Sequence, residues 1–212
     1  MLDYQKDFIS YSLECGVLKF GEFKLKSGRI SPYFFNTGLF NTGKKLGKLG
    51  TYYAQALIQS GKNFNILYGP AYKGIPLVSA TSIAYANLTG DDIPFAFNRK
   101  EAKDHGEGGD IVGAPLKGDV MIVDDVITAG TSVRESVTVI ERAGAVPAGV
   151  LIALDRQEKG ISGQSAIQEV TECYKIPVVA IITLDNIIDY IETYTTGQLE
   201  AITSYRDQYG IK

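Results

Sequence analysis

Residues 120–132 constrain the fold of this chain more than any other segment. The apolar, β-branched run at residues 120–123 is typical of a strand that is covered on both faces. A hydroxyl-rich turn follows, and then a helix that we expect to be capped by Ser132, because Glu135 three residues later completes a capping box. A strand that passes through a short turn into a helix predicts a βα unit, whose helix N-terminus offers free N–H groups to an anion.

Two acids, Asp124 and Asp125, stand where that strand should end. Neither a Walker A motif nor a GxGxxG fingerprint is present, since the glycines of residues 106–109 follow no strand. In the plainest reading the acids face water in front of a capped helix. The combination of strand, acids and turn favours a ligand that carries a phosphate together with hydroxyls or a metal, such as a ribose phosphate.

The apolar pattern along the rest of the chain alternates between strands and helices. After a helix at residues 2–15, a hairpin at 20–35 and a helix at 43–60 come strands at 65–68, 94–98, 120–124, 150–154 and 178–182, with helices at 74–87, 133–143, 165–174 and 186–195. Repeated βα units predict an α/β fold in which helices flank a central parallel sheet on both faces. No repeat or linker divides the chain, so we expect one domain over residues 1–212, in which residues 1–40 form a helix and hairpin hood over one edge of the sheet.

The composition excludes several classes of protein. The formal net charge is −3, which argues against a nucleic-acid partner, since such proteins are normally basic. No apolar run approaches the length of a membrane span and residues 1–10 carry charges, so we expect neither a membrane partner nor a signal peptide. Cys15 and Cys173 form no metal-binding spacing, and two lone thiols indicate a cytoplasmic protein without a disulfide or zinc.

One connection, residues 99–117, is too long for an ordinary turn in a compact domain. It is rich in glycine and in charges of both signs, and it holds His105, the single histidine of the chain. Loops of this length are usually lids or disordered segments, and we predict a mobile lid. Considered alone, His105 is more simply explained as a solvated imidazole.

Four cationic residues, Lys73, Arg99, Lys100 and Arg156, come shortly after predicted strands. Ligands of such sheets bind beyond the carboxyl ends of the strands, so one pocket near the acid pair can collect all four. Two of them have a plainer alternative. Lys73 is otherwise a solvated loop lysine, and Arg156 otherwise pairs with a surface acid, although its planar fork suits a carboxylate or a phosphate.

The sequence at residues 120–132 resembles the signature of the type I phosphoribosyltransferases, enzymes that bind phosphoribosyl diphosphate. Within that group the chain resembles the orotate phosphoribosyltransferases, on the segments at residues 23–28, 31–36, 69–74 and 97–108. The matches span residues 20–156 without a departure from the pattern, and nothing after Tyr174 carries a motif. The resemblance implies a type I phosphoribosyltransferase fold. It also implies transfer of a phosphoribosyl group from phosphoribosyl diphosphate to orotate, with Mg²⁺, giving orotidine 5′-phosphate and pyrophosphate in pyrimidine biosynthesis.

The resemblance further implies roles for individual residues. The catalytic residues would be Lys103, His105, Asp124 and Asp125. The residues that bind phosphoribosyl diphosphate would be Lys26, Tyr72, Lys73, Arg99, Lys100, Lys103, His105, Asp124, Asp125, Val126, Ile127, Thr128, Ala129, Gly130, Thr131 and Ser132. Orotate would contact Phe34, Phe35, Thr128 and Arg156, with the arginine on its carboxylate. On local evidence alone, an aromatic pair such as Phe34 and Phe35 is more often part of a core.

The acid pair and the lid acquire specific expectations from this resemblance. Mg²⁺ would be held mainly through the substrate near Asp124 and Asp125, without direct protein ligands. Adjacent side chains at a strand end point in opposite directions, so we do not expect both carboxylates to contact one atom. The lid at residues 99–117 would close over the active site of the neighbouring subunit in a homodimer.

Other classes of protein stay open on the residues alone. A phosphoribosyltransferase-like regulator of nucleotide metabolism would keep the ribose phosphate site, but it needs a nucleic-acid surface that an acidic chain does not favour. A receiver domain also places acids after an apolar strand, but nearer its N-terminus. A purine phosphoribosyltransferase is the nearest enzymatic alternative, and Arg156 together with Phe34 and Phe35 favours a base that bears a carboxylate.

Overall fold

A computed structural model describes residues 1–25, 28–103, 109–128, 130–160, 162–195 and 197–211. The helices are α1 (Asp3–Glu14), α2 (Gly43–Ser60), α3 (Gly74–Thr89), α4 (Thr131–Arg142), α5 (Ala166–Tyr174), α6 (Leu184–Tyr194) and α7 (Leu199–Tyr209). The strands are β1 (Leu18–Lys24), β2 (Ile30–Phe35), β3 (Ile66–Gly69), β4 (Phe95–Lys103), β5 (Gly109–Gly113), β6 (Asp119–Val123), β7 (Val146–Asp155) and β8 (Val178–Thr183). A short 3-10 helix follows β2 at Thr37–Leu39.

The central sheet has six strands in the order β5-β4-β3-β6-β7-β8. The strands β4, β3, β6, β7 and β8 are parallel, as the repeated βα pattern predicted. The strand β5 was not predicted, and it pairs antiparallel with β4, so the sheet is mixed at one edge. Because β3, β6 and β7 are neighbours, their carboxyl ends meet at one side of the sheet.

Alternating side chains of the strands divide the apolar core into two layers. Leu67 and Met121 face the layer that holds buried residues of α1, α2, α3, α6 and α7. Ile66 and Ile122, one position away on the same strands, face the layer that holds buried residues of α4 and α5. Helices therefore cover both faces, which confirms the predicted architecture.

The predicted hairpin forms a separate two-stranded sheet, in which Leu18 pairs with Phe35 and Lys24 with Ile30. The helix α7 was not predicted, and it packs against β2 of this hairpin. Tyr33 of β2 and Tyr205 of α7 meet edge to face with their ring centroids 6.4 Å apart. The N-terminal hood thus rests on the C-terminal helix.

The long connection at residues 99–117 is more regular than a structureless loop. The strand β4 pairs with β3 only as far as Phe97, but it continues to Lys103, which is paired with Gly109 of β5. The connection is therefore in part a two-stranded ribbon that extends past the end of β3. His105 lies outside the described residues, and the predicted mobility of this segment stays a prediction.

Within the described ranges, we find no helix that is both long enough and apolar enough to cross a membrane.

Candidate active site

The segment after β6 places a buried carboxylate at the start of α4. Asp124 is 8% exposed, and its Oδ1 accepts a 2.8 Å hydrogen bond from the backbone N–H of Asp125. Its Oδ2 accepts a 2.7 Å hydrogen bond from the hydroxyl of Ser132. From α2, the hydroxyl of Tyr53 donates to the backbone carbonyl of Asp124 at 2.8 Å. These contacts hold the carboxylate with both oxygens engaged.

The predicted capping role of Ser132 is wrong. The residue that caps α4 is Gly130, whose left-handed φ of 67° suits a glycine, and its position has no side-chain hydrogen bond. The hydroxyl of Ser132 turns back to Asp124, because a hydrogen bond to a buried carboxylate is stronger than one between neutral groups. The first turn of α4 therefore presents its backbone N–H groups without a side-chain cap, as an anion site at a helix N-terminus requires.

Burial raises the pKa of Asp124 to about 6. The hydrogen bonds from Ser132 and from the backbone of Asp125 lower this pKa and so partly offset the effect of burial. The negative charge of Asp125 raises it further, and the more distant ammonium of Lys73 lowers it. Asp124 is thus an acid that changes charge close to neutral pH.

Asp125 has a different set of partners from its neighbour. The ammonium of Lys73 lies 2.6 Å from Oδ2 of Asp125, and the hydroxyl of Thr37 donates to the same oxygen at 3.2 Å. Oδ1 accepts a hydrogen bond from the backbone of Val126 at 2.9 Å. The two acids therefore do not converge on one atom in this structure, which agrees with the alternation expected at a strand end.

The turn between β3 and α3 brings Lys73 to this acid. A Cβ atom on Gly69 would lie 2.2 Å from the carbonyl oxygen of Gly74, so both ends of the turn require close backbone approach. The peptide bond between Ala71 and Tyr72 is cis, and the N–H of Ala71 donates to Oδ1 of Asn98 at 2.7 Å. Tyr72 itself is exposed. The turn is thus tied to the adjacent strand β4 and aims the lysine at the end of β6.

Arg156 follows β7 and is engaged both by Glu158, close to it in the chain, and by β2 of the hood. Its Nε donates to Oε1 of Glu158 at 2.9 Å, and its Nη2 lies 2.7 Å from the same oxygen. Nη2 also donates to the hydroxyl of Ser31 in the hood at 3.3 Å. The guanidinium carbon lies 4.4 Å from the centre of the Tyr33 ring, a cation–π geometry. The arginine therefore joins the end of β7 to the hood.

The two phenylalanines of β2 lie on opposite faces of the hairpin. Phe34 is exposed and stacks on Phe23 with ring centroids 5.4 Å apart. Phe35 packs against the core and contacts the ring of Phe8 edge to face at 6.2 Å. Of the two rings, that of Phe34 is the more accessible to a ligand. The binding of orotate by Phe34 and Phe35 stays a prediction.

The remaining predicted residues occupy varied positions. Val126 and Ile127 are half-buried, Thr128 and Thr131 are exposed, Arg99 is half-buried and Lys100 is exposed. Lys26, His105 and Ala129 lie outside the described residues, and the side chain of Lys103 does too. The structure adds four residues that sequence reasoning missed, namely Thr37, Tyr53, Asn98 and Glu158. Of these four, only Glu158 could have been suspected from the sequence, because it lies two positions after Arg156.

The site therefore combines an acid pair, a helix N-terminus without a side-chain cap and a lysine turn, all at the carboxyl ends of the parallel strands β3 and β6. The phosphoribosyl transferase domain family matches residues 40–181, a range that contains all three features. Fold and site thus define a phosphoribosyltransferase.

Comparison with known proteins shows which phosphoribosyltransferases this chain resembles. The chain is 62% identical over 211 residues to the orotate phosphoribosyltransferase of Methylococcus capsulatus, covering 99% of both chains. It is 57% identical over 213 residues to that of Yersinia enterocolitica, covering all of both. The chain belongs to the orotate phosphoribosyltransferase family.

Solved structures agree with this assignment. The crystal structure of the Francisella tularensis orotate phosphoribosyltransferase matches with a TM-score of 0.89 and 45% identity, covering 96% of this chain and 99% of that one. The Mycobacterium tuberculosis orotate phosphoribosyltransferase in complex with 5-phospho-α-D-ribosyl 1-diphosphate matches with a TM-score of 0.63. That match has 18% identity and covers 87% of this chain and 98% of that one, so it supports the fold alone.

Proposed function

We infer that this protein transfers the phosphoribosyl group of phosphoribosyl diphosphate to orotate, giving orotidine 5′-phosphate and pyrophosphate in pyrimidine biosynthesis. The observation that carries this inference is the grouping of Asp124, Asp125, Lys73 and Arg156 at the adjoining carboxyl ends of β3, β6 and β7. We place the reaction in the cytoplasm, because Cys15 and Cys173 are both free thiols.

We propose that residues 128–132 bind the 5′-phosphate. The first turn of α4 has no side-chain cap, and the hydroxyls of Thr128 and Thr131 are exposed beside it. Backbone N–H groups at a helix start together with hydroxyl donors suit a phosphate. The acids Asp124 and Asp125 then lie beside the ribose hydroxyls, where carboxylates accept hydrogen bonds.

In the reaction, the bond between ribose C1 and the diphosphate oxygen breaks, and a ring nitrogen of orotate forms the new bond to C1 as it gives up its N–H proton. Negative charge grows on the leaving pyrophosphate, while the sugar gains oxocarbenium character. We assign Lys73, Lys26, Arg99 and Lys100 to the diphosphate, since cations that face the developing negative charge lower the free energy of the transition state. Tyr72, next to Lys73, is assigned to the diphosphate as a further contact. The negative charge of the acid pair stabilises the sugar as it gains oxocarbenium character.

The two carboxylates at the end of β6 fit Mg²⁺ only as partners of an ion that the substrate also binds. Among the described residues, no group of three or more histidine, cysteine, aspartate or glutamate side chains can hold a metal. Two carboxylates beside a diphosphate still suit Mg²⁺, which keeps several water and phosphate ligands. When bound, the ion supplies charge to the leaving pyrophosphate, and Asp124 and Asp125 would hold it through substrate and water.

We propose that orotate binds between the hood and Arg156. The guanidinium lies beside Ser31 and Tyr33 of β2, and the Arg156 side chain is only 20% exposed. A carboxylate on the base can meet this guanidinium with charge-assisted hydrogen bonds. Phe34 and Phe35 of β2 and Thr128 of the phosphate loop are the remaining contacts that we assign to orotate.

We propose that the ribbon of β4 and β5 ends in a lid that covers the active site of the neighbouring subunit in a homodimer. The support is its course, because β4 leaves its neighbour β3 after Phe97 and continues with β5 alone. A lid that excludes water protects an activated ribose from hydrolysis. Lys103 and His105 then act in catalysis from this lid.

Two experiments test the lid. Deletion of residues 106–109 is expected to abolish turnover with little change in thermal stability, and intact turnover would contradict a lid.

A mixture of Lys103→Ala and Asp124→Asn proteins is expected to regain activity on subunit exchange. Each hybrid dimer then contains one active site in which the lysine of the lid and the aspartate are both intact. Absence of recovery would place the lid over its own subunit.

The function itself is tested by loss of orotate absorbance in the presence of phosphoribosyl diphosphate and Mg²⁺. The same assay is run with hypoxanthine and with uracil as the base. We expect turnover of orotate and little or none of the other two. Turnover of either rival base without turnover of orotate would overturn the proposal.

A further inference from the structure

Glu158 is the main partner of Arg156, and neither residue is a freely solvated surface charge. The Oε1 atom of Glu158 accepts from both Nε and Nη2 of the arginine, at 2.9 and 2.7 Å. The two side chains are 20% and 14% exposed, for arginine and glutamate respectively. Glutamate therefore occupies the side edge of the guanidinium, the edge formed by Nε and Nη2. Among the described residues, Nη1 at the far end makes no hydrogen bond.

The backbone around Glu158 is fixed by the C-terminal end of the chain. The N–H of Lys159 donates to the carbonyl of Tyr209 at 2.8 Å, and the N–H of Ile211 donates to the carbonyl of Gln157 at 2.9 Å. These bonds flank Glu158 on both sides, and Glu158 itself bridges to Gly210. The glutamate thus has a rigid attachment.

The hood contributes further partners to the same carboxylate. The hydroxyl of Tyr33 lies 3.4 Å from Oε1 of Glu158, and Nη1 of Arg29 lies 3.8 Å from Oε2. The guanidinium of Arg29 also lies over the Tyr209 ring at 4.7 Å from its centre. The two arginines and the glutamate together carry one net positive charge, which matches a single substrate carboxylate.

We propose that Glu158 is a positioning residue for orotate, which holds the side edge of Arg156 so that its Nη1 end meets the substrate carboxylate. This inference rests on the proposed function. Two N–H groups of one edge that converge on a single carboxylate oxygen restrict the plane of the guanidinium, and a fixed plane lets the opposite end receive a carboxylate at low entropic cost. The C-terminal helix α7 gains a role in base recognition through its contacts with the Glu158 segment.

A purely electrostatic role makes the opposite prediction. If Glu158 only placed a negative charge near the substrate carboxylate, its removal would tighten orotate binding. If it positions Arg156, removal of its acceptor oxygen lets the guanidinium leave the required plane, and orotate binding weakens. The sign of the change in orotate KM separates the two roles.

The experiment compares Glu158→Ala, Glu158→Gln and the matched control Glu192→Ala, an exposed glutamate of α6. We expect Glu158→Ala to raise the KM for orotate about tenfold and to leave the KM for phosphoribosyl diphosphate within about twofold. Glu158→Gln keeps an oxygen acceptor at the same place, so it should recover most of the orotate affinity. Glu192→Ala should match the wild type.

A double-mutant cycle with Arg156→Ala adds a readout that a general structural defect would not give. If Glu158 acts through Arg156, Glu158→Ala should have no further effect on orotate kcat/KM in the Arg156→Ala background. Additive effects, an unchanged orotate KM or equal increases in both KM values would overturn the proposal. If Glu158→Ala does not fold, Glu158→Asp is the substitute, because the shorter carboxylate draws the guanidinium back and should still raise the orotate KM selectively. Failure of the wild type to turn over orotate would instead contradict the proposed function.

Discussion

The ammonium of Lys73 lies 2.6 Å from Oδ2 of Asp125, so the cation that we assign to the diphosphate rests on the acid that we assign to the ribose. The lysine side chain is 62% exposed, whereas Asp125 is largely buried. An ion pair with one exposed partner contributes little to folding. The ion pair between Lys73 and Asp125 therefore serves a binding site more than it stabilises the fold.

Replacement of Lys73 by Gln is expected to separate these two roles. Loss of a cation on the diphosphate should lower kcat/KM for phosphoribosyl diphosphate by about 100-fold, while the free energy of unfolding changes by less than about 1 kcal/mol. Steady-state kinetics and urea denaturation measure the two quantities. Lys62→Gln, at an exposed position beyond α2, is the control. A stability loss as large as the kinetic loss would show that the ion pair is structural.

Replacement of Asp124 by Asn is expected to stabilise the protein at neutral pH while it reduces activity. Since burial raises the pKa of Asp124 to about 6 from 3.8, the folded protein binds this proton more tightly than the unfolded chain does. The stability associated with the protonated acid is therefore present below pH 4 and is lost as the pH rises through about 6. The asparagine side chain stays neutral at every pH, so we expect a gain of about 3 kcal/mol at pH 7.5 that vanishes toward pH 4.

Thermal or urea unfolding of the Asp124→Asn protein across this pH range is the measurement. Asp92→Asn, at an exposed position, should show no such pH-dependent gain. A stability difference that stays constant from pH 4 to 7.5 would contradict the raised pKa of Asp124.

Replacement of Gly69 by Ala is expected to disrupt the lysine turn. The added Cβ would lie 2.2 Å from the backbone oxygen of Gly74 and 2.7 Å from Cγ1 of Val78, and a backbone oxygen cannot yield as a flexible side chain does. We expect a loss of about 3 kcal/mol in the free energy of unfolding together with loss of turnover. Gly47→Ala is the matched control, because no atom lies within 4 Å of its added Cβ and alanine favours a helix interior by about 0.5–1 kcal/mol. Equal effects of the two substitutions would contradict the packing argument.

The sequence predicted those features that depend on local periodicity. The bounds of α2 were predicted to the residue, because an apolar pattern at helical spacing ends at a glycine with positive φ, Gly61. The separate partners of Asp124 and Asp125 agree with the expectation, drawn from the alternation of adjacent side chains, that the two would not contact one atom. Both features need only neighbours in the chain.

Features that depend on distant partners were missed or predicted wrongly. Ser132 bonds to Asp124 instead of capping α4, because folding brings a buried carboxylate within reach of its hydroxyl. Thr37 reaches Asp125 across 88 positions of the sequence, which no local pattern reveals. The helix α7 was not recognised, since only Ile202 and Tyr205 among its residues are buried and its apolar stripe is correspondingly weak.

The most direct test of the central claim is the pair of KM values for orotate and phosphoribosyl diphosphate in the Arg156→Ala protein, measured beside the wild type. Arg156 is engaged by the hood, and Asp124 is bound by Ser132 at the start of α4, so the two substrates should depend on different groups. We predict that the wild type consumes orotate, and that Arg156→Ala raises the orotate KM by at least about 30-fold while the other KM changes by less than about twofold. An unchanged orotate KM, or an equal rise in both values, would contradict the assignment of the base to the hood and Arg156.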